Sequence, residues 1–142
     1  MLEILLSQNE GKTLEFKENT KSLTSIIKAV IAFANTSGGN IVIGVEDKSK
    51  KIIGVNNALL DEEKLASAIA DSVEPLIMPD IQIVSVRHKE LLVIQVPHMA
   101  GPFYLKSVGI EKGTYIRLGS TNRIADQDSI SIIANAIKKH FV

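Results

Sequence analysis

The pattern of hydrophobic and polar positions divides the chain into short, alternating stretches and longer helical ones. Residues 14–17 alternate apolar and charged side chains with the period of two that is typical of a half-buried strand. Residues 23–34 carry apolar side chains at helical spacing, and Thr20 or Ser22 is predicted to cap this helix. A breaker sequence, residues 35–39, ends it. The continuous apolar run at 41–45 then predicts a strand that is buried on both faces.

The rest of the pattern predicts further short elements. They are a strand at 52–55, a helix from 61 to 74, a hairpin of 81–86 with 91–96, strands at 103–105 and 114–118, and a last helix from about 126 to 140. No repeat or linker interrupts them. The sequence therefore predicts one α+β domain over residues 1–142, with a mixed β-sheet packed against about three helices.

Composition narrows the possible functions of the chain. Its 142 residues, 45% hydrophobic and 23% charged, suit one globular domain with its own core. The formal net charge is zero, so phosphate binding would need a local patch of positive charge. The absence of cysteine excludes disulfides and thiolate zinc sites. The first residues lack the basic start of a signal peptide and the apolar runs are too short to span a bilayer, so a cytoplasmic protein is expected.

Acidic residues cluster near the predicted strands at 14–17 and 41–45. Glu15 and Lys17 share one face of the first strand, and Glu10 lies just upstream across a glycine turn. Asp47, next to Glu46, follows the second strand. If the two strands are neighbours, the carboxylates meet and repel one another by about 4 kcal/mol per pair, which a divalent cation would remove. The alternative, which the spacing leaves open, is a set of solvated charges at strand ends.

Three motifs in this chain resemble the AlbA_2 domain of the Schlafen proteins. They are LEFKE, AFANTSGGNIVIGVEDKSKKIIGV and GTYIRLGSTNRIA, which occur in the order of that family. The resemblance covers about residues 10 to 128. It implies a mixed α+β domain that binds nucleic acid. In vertebrate Schlafens two such lobes form a U-shaped core around base-paired RNA, and some cleave tRNA-like substrates with a metal-dependent Glu-Glu-Asp trio.

The resemblance assigns specific roles to the acidic cluster. Glu10 and Glu15 match the family spacing E-x4-E-F-K, and Asp47 matches its aspartate. These three residues are the expected ligands of Mg²⁺ or Mn²⁺ and the expected catalytic residues, with Lys17 assisting phosphoryl transfer. The role of Glu46 stays open. The cysteines of the Schlafen zinc site are absent here, and the chain supplies one lobe, so a clamp would require a homodimer.

Three functions follow as hypotheses. The first is a metal-dependent endoribonuclease of Schlafen type, acting as a homodimer on structured, tRNA-like RNA. The second is a non-catalytic DNA- or RNA-binding domain of a transcriptional regulator that uses the same face. The third is a scaffold that mainly dimerises.

Two groups of residues are candidates for contacts to nucleic acid. Lys12 and Lys21 flank the first strand, beside Lys17 and Lys28. The second group surrounds the motif GTYIRLGSTNR and comprises Lys106, Lys112, Tyr115, Arg117 and Arg123. Tyr115 and Arg117 lie two apart on a strand and share a face, which suits stacking and a phosphate contact. The alternative is that Arg117 and Arg123 bridge carboxylates on the surface.

Other chemistry-bearing residues receive no role. Ser37-Gly38-Gly39 precedes a strand and lacks the spacing of a phosphate loop, so a tight helix-to-strand connection is expected there. The histidines, His88, His98 and His140, are scattered. Ser120 has no base near it in sequence.

Overall fold

The computed structural model describes residues 2–141, with side chains described for residues 2–136. The helices are α1 (Leu2–Leu6), α2 (Leu23–Asn35), α3 (Ala58–Ser72), α4 (Ile110–Gly113) and α5 (Gln127–Phe141). The strands are β1 (Leu14–Lys17), β2 (Gly39–Ile43), β3 (Val73–Glu74), β4 (Asp80–Val86), β5 (Lys89–Val96), β6 (Tyr104–Leu105), β7 (Tyr115–Leu118) and β8 (Thr121–Ile124). The predicted α+β class and mixed sheet are confirmed.

The central sheet has four strands in the order β1-β2-β5-β4. β1 and β2 run parallel, with Glu15 opposite Ile41, and the other neighbours are antiparallel. A parallel pair needs a crossover connection, and α2 provides it. The strand of Glu15 therefore neighbours the strand leading to Asp47, which is the condition under which the sequence brings the carboxylates together.

Both faces of the sheet are covered, which explains the continuous apolar run of β2. Ile41 and Ile43 point into the main core with α2 and α3. Val42 lies on the other face with Leu14 and Phe16, beneath Leu5 of α1. Alternate residues of one strand thus enter two separate apolar clusters.

The glycines at 38 and 39 make the connection from α2 to β2 tight, as the sequence analysis expected. Gly38 has φ +70°, a conformation that residues with side chains rarely adopt. A Cβ at Gly39 would lie 2.7 Å from the ring of Phe33. The two glycines therefore allow the end of α2 to pack directly on the sheet.

Two small antiparallel pairs stand outside the central sheet. β3 pairs with β6, and β7 pairs with β8 to form a hairpin, here called the β7–β8 hairpin. The side chain of Asn35, 5% exposed, ties this region to α2. Its Nδ2 donates to the carbonyl oxygens of Phe103 (2.8 Å) and Tyr115 (2.9 Å), and its Oδ1 accepts from the backbone N–H of Phe103 (2.8 Å).

The structure departs from the sequence prediction in several elements. The predicted strand at 52–55 is wrong, because this segment makes one bridge, Val45 to Ile52, and a few backbone hydrogen bonds to Gly44 and Glu90 without forming a regular strand. β8 was not predicted, and neither were the short helices α1 and α4. α3 begins at Ala58 rather than Asp61, because Asn57 caps it by accepting from the backbone N–H of Leu60 (3.1 Å). His140 lies outside the described side chains.

Among the residues that the structure describes, no helix has both the length and the apolar character needed to cross a membrane.

Candidate functional site

The candidate site forms around β1, where the parallel pairing of β1 and β2 brings the first acidic segment toward the second. Glu10 folds back along β1, and its Oε2 accepts a hydrogen bond from the backbone N–H of Phe16 (2.8 Å). Asp47 is exposed just beyond β2, and Glu46 beside it is partly buried. The turn before β1 thus places Glu10 next to the strand, as its spacing from Glu15 suggested.

Glu15 does not face solvent. It is 5% exposed, because the β7–β8 hairpin covers the face of β1 that the alternation had assigned to solvent. Its Oε1 accepts a short, charge-assisted hydrogen bond from Nη1 of Arg117 and a second bond from Nδ2 of Asn122 (3.1 Å). The side chain is thus half of a buried ion pair that joins β1 to the hairpin.

Arg117 is held by more than this carboxylate. Its Nε donates to the carbonyl oxygen of Gly11 (3.0 Å) and its Nη2 to that of Leu14 (2.9 Å). The guanidinium carbon lies 4.6 Å from the centre of the Phe33 ring, a cation–π distance. The side chain therefore binds the turn before β1, the strand itself and the core of α2.

Lys17 is the second cation near Glu15. Its Nζ lies 3.2 Å from Oε2 of Glu15 and donates to Oγ of Ser25 (2.6 Å). The contact with Glu15 is an ion pair without hydrogen-bond alignment, since Oε2 is buried and accepts no hydrogen bond within the described chain. Lys17 therefore neutralises the outer oxygen of Glu15 while it is anchored to α2.

The environment of Glu10 raises its pKa. Burial is the main cause, and the nearby carboxylates of Asp47 and Glu15 act in the same direction. The hydrogen bond from Phe16 and the charge of Arg117 oppose the rise. Glu10 is thus close enough to both Asp47 and Glu15 for their charges to act on it.

This raised pKa predicts a pH dependence of stability. Since the pKa of Glu10 is higher in the folded than in the unfolded state, its favourable contribution is complete below the unfolded pKa. It is lost as the pH rises through the folded pKa. Replacing Glu10 by glutamine is expected to raise the free energy of unfolding at pH 7 by less than about 1 kcal/mol, because the group is only half-buried. The gain should shrink as the pH falls through the carboxyl range.

Urea denaturation at several pH values measures this effect. The exposed Glu111→Gln variant serves as the control, and its stability relative to the wild-type chain should change little with pH. A Glu10→Gln variant that is less stable than the wild-type chain at pH 7 would contradict the assignment.

The predicted metal site does not fit the side chains as they are arranged. Among the described residues, no group of three or more His, Asp or Glu side chains is placed to hold a metal ion. The donor set itself explains this result. Oε1 of Glu15 already accepts from Arg117 and Asn122, Oε2 lies against Lys17, and Glu10 binds the backbone of Phe16. Binding of Mg²⁺ or Mn²⁺ by Glu10, Glu15 and Asp47 stays a prediction.

The structure places the predicted nucleic-acid contacts in two different environments. Tyr115 and Arg117 do share a face, but that face is buried: they are 8% and 2% exposed. The Tyr115 ring lies under Nζ of Lys28, at 5.3 Å from its centre. Neither side chain is accessible for stacking or for a phosphate contact in this arrangement.

The remaining predicted contacts are exposed. Lys12 and Lys21 flank β1, and Arg123 lies on β8 with its Nε 3.3 Å from Oγ1 of Thr121. Lys112 is on α4, and Lys106 follows β6, where it pairs with Glu74 at 3.9 Å.

The loop after β2 contributes to the site in a way that the sequence pattern did not predict. Lys50, which has φ +57°, belongs to this loop. Its Nζ donates to the carbonyl oxygen of Gln8 and to Oδ1 of Asn9 (2.8 Å), so the loop is hydrogen-bonded to the segment before Glu10. Its neighbours Lys48 and Lys51 are exposed. The signal in the sequence was the run KSKK, residues 48–51, directly after the second acidic pair.

Three segments with exposed cations therefore meet at β1. Lys12 belongs to the turn before the strand, Lys48 and Lys51 to the loop after β2, and Arg123 to the β7–β8 hairpin. Contacts of Lys50 hold the second segment against the first, and contacts of Arg117 and Asn122 hold the third. We call Lys12, Lys48, Lys51 and Arg123 the basic rim.

Comparison with known proteins identifies the family of this chain. The sequence model of the family described as Schlafen, AlbA_2 matches residues 10–126. The chain belongs to the Schlafen AlbA_2 family. The matched range contains the whole basic rim and the Glu15–Arg117 pair.

Individual relatives agree with this assignment. The chain is 27% identical over 132 residues to an uncharacterized ATP-binding protein of Ureaplasma parvum serovar 3, covering 87% of this chain and 37% of that protein. The N-terminal domain of a Nitrosomonas europaea protein, described as related to the ATP-dependent DNA helicase RecG, is 28% identical. Its solution structure superposes with a TM-score of 0.67, covering 87% of this chain and 90% of that domain.

A crystal structure supports the fold. The DIP2311 protein of Corynebacterium diphtheriae matches with a TM-score of 0.70 at 22% identity, covering 95% of this chain and 27% of that one. The chain thus spans about a quarter of the length of this protein and somewhat more than a third of the Ureaplasma relative.

Proposed function

We propose that this chain is a nucleic-acid-binding domain that contacts phosphates with the basic rim, and that it prefers structured, tRNA-like RNA to DNA. The observation that carries the proposal is the convergence of three cation-bearing segments on β1, within the range that matches the Schlafen AlbA_2 family. Contacts to phosphates supply most of the affinity of such proteins and need no fixed base.

Charge and burial indicate how this binding would behave. The formal net charge of the chain is zero, so attraction depends on the rim and not on a field of the whole protein. Glu10, Glu46 and Asp47 lie near the same surface and oppose phosphate binding. We therefore expect modest affinity that falls steeply as salt is added.

The relative in Nitrosomonas europaea adds support from outside the chain. That protein is described as related to a DNA helicase, and this chain matches nearly all of its N-terminal domain. A role next to nucleic acid therefore suits the fold. The burial of Glu15 favours a regulator domain that binds DNA or RNA without cleaving it.

A metal-dependent endoribonuclease is the second candidate. The observation in its favour is that Glu10 lies close enough to Glu15 and Asp47, its partners in the family trio, for their charges to raise its pKa. The arrangement of Glu15 against Arg117 and Lys17 weighs against it. Homodimer formation and a cytoplasmic location also stay predictions, and light scattering on the purified chain tests the first of these.

One experiment separates the two candidates. Purified protein is incubated with tRNA, with or without Mn²⁺, and analysed for binding on a native gel and for cleavage on a denaturing gel. We expect a shifted complex and intact RNA. If the wild-type chain cleaves the RNA and the Asp47→Asn variant does not, the nuclease replaces non-catalytic binding as the proposed function. If the protein forms no complex with either tRNA or duplex DNA at low salt, the binding function and the nuclease are both overturned. The scaffold that mainly dimerises is then the remaining hypothesis.

A further inference from the structure

The guanidinium of Arg117 lies against Oε1 of Glu15, and nearly all of its donors are engaged. The group has five N–H donors, and four of them are used, on two backbone carbonyls, one carboxylate and one side-chain amide. Nη1 also reaches Oδ1 of Asn122 at 2.8 Å. The side chain has no exposed surface, and one face of its plane lies on the Phe33 ring.

The position of this cation matters because of what surrounds it. Glu15 lies on β1, and Glu10 is hydrogen-bonded to the same strand. A divalent ion bound to Glu15 would lie close to the guanidinium and to the ammonium of Lys17, and like charges at such distances repel. It would also have to replace two donors that already satisfy Oε1.

We propose that Arg117 is a built-in cation that takes the place of a divalent metal at Glu15. While the β7–β8 hairpin is docked on β1, Mg²⁺ or Mn²⁺ does not bind to Glu15. When the guanidinium is removed, the carboxylates of Glu10 and Glu15 are left without their strongest counter-charge, and the segment then takes up Mn²⁺. This inference does not depend on nucleic-acid binding, because it concerns which cation neutralises Glu15 when no nucleic acid is bound.

Thermal unfolding in EDTA and in Mn²⁺ tests the proposal. The melting temperature of the wild-type chain should be the same in both within about 1 °C. Arg117→Met should melt lower in EDTA and gain about 5 °C or more when Mn²⁺ is added at saturating concentration. The gain should be lost in the Arg117→Met, Glu15→Gln double variant. Arg123→Met, which removes an exposed arginine of the same hairpin, should respond to Mn²⁺ as the wild-type chain does.

Two results would overturn the proposal. One is a wild-type chain that Mn²⁺ stabilises through Glu15, so that Glu15→Gln abolishes the effect. The other is a folded Arg117→Met variant that Mn²⁺ does not stabilise.

A measurement on the wild-type chain covers the case in which Arg117→Met fails to fold. Mn²⁺ broadens the NMR signals of nearby amides, so one equivalent added to ¹⁵N-labelled protein maps where the ion binds. Unbroadened amides for residues 14–17 support the proposal. Selective broadening of those amides overturns it.

Discussion

Replacing Arg117 by methionine is expected to lower the free energy of unfolding by about 3–5 kcal/mol. The substitution leaves the carboxylate of Glu15, which is 5% exposed, without its main counter-charge. It also leaves the carbonyl oxygens of Gly11 and Leu14 without the donors that now satisfy them. Removing one partner of a buried ion pair lowers the free energy of unfolding much more than replacing both partners by apolar residues does.

Urea denaturation followed by circular dichroism measures the loss. The matched control is Arg123→Met on the neighbouring strand, where the side chain is exposed and the change should stay within about 0.5 kcal/mol. The variant Glu15→Leu combined with Arg117→Met removes both charges and should recover part of the loss. A loss below about 1 kcal/mol for Arg117→Met would show that the pair does not hold the hairpin on the sheet.

Replacing Asn35 by alanine is expected to lower the free energy of unfolding by about 3 kcal/mol or more. Its amide makes three hydrogen bonds to the backbone of Phe103 and Tyr115, all in the core. The substitution leaves those backbone groups buried and unpaired, and each such group costs roughly 1–3 kcal/mol. It also leaves a small cavity where α2 meets the β7–β8 hairpin.

The same urea experiment checks this prediction. Asn135→Ala on the exposed side of α5 is the control, with an expected change within about 0.5 kcal/mol. Equal stability of Asn35→Ala and the wild-type chain would mean that the backbone of residues 103 and 115 finds other partners.

The local pattern of apolar and polar residues was enough to predict the elements whose own sequence shows a clear helical or strand periodicity. β1, β2 and the β4–β5 hairpin follow from alternation or from a continuous apolar run, and α2 follows from its helical spacing. The pattern did not predict β8, because Thr121–Ile124 is short and mostly polar and pairs only with its neighbour β7. The strand expected at 52–55 reduces to one bridge, since the next residues connect to α3.

The candidate site was predictable only in part. The spacing of Glu10 and Glu15 could be identified in the sequence, but the parallel pairing of β1 and β2, which brings Asp47 toward them, entered there only as a condition. The burial of Glu15 could not, since alternation within four residues shows which side chains share a face but not what covers that face. Its cover and its partner come from Arg117, which lies 102 positions away along the chain.

The same long-range pairing changes the interpretation of the arginines. Arg117 and Arg123 look alike in sequence, because both belong to the motif GTYIRLGSTNR and both are flanked by polar residues close by. In the fold, one is an internal counter-ion and the other is exposed on the same hairpin. The basic rim that we propose for phosphate contacts therefore contains Arg123 and excludes Arg117.

The measurement that tests the proposed function most directly is a fluorescence anisotropy titration of labelled tRNA at two salt concentrations. The charge reversals Lys12→Glu and Arg123→Glu are compared with Lys64→Glu, which changes an exposed lysine on α3. We predict that each rim variant weakens binding by roughly threefold to tenfold and lowers the magnitude of the salt slope by about 1, while Lys64→Glu binds like the wild-type chain. Equal affinities for all three variants, or a larger loss for Lys64→Glu, would contradict nucleic-acid binding through the basic rim.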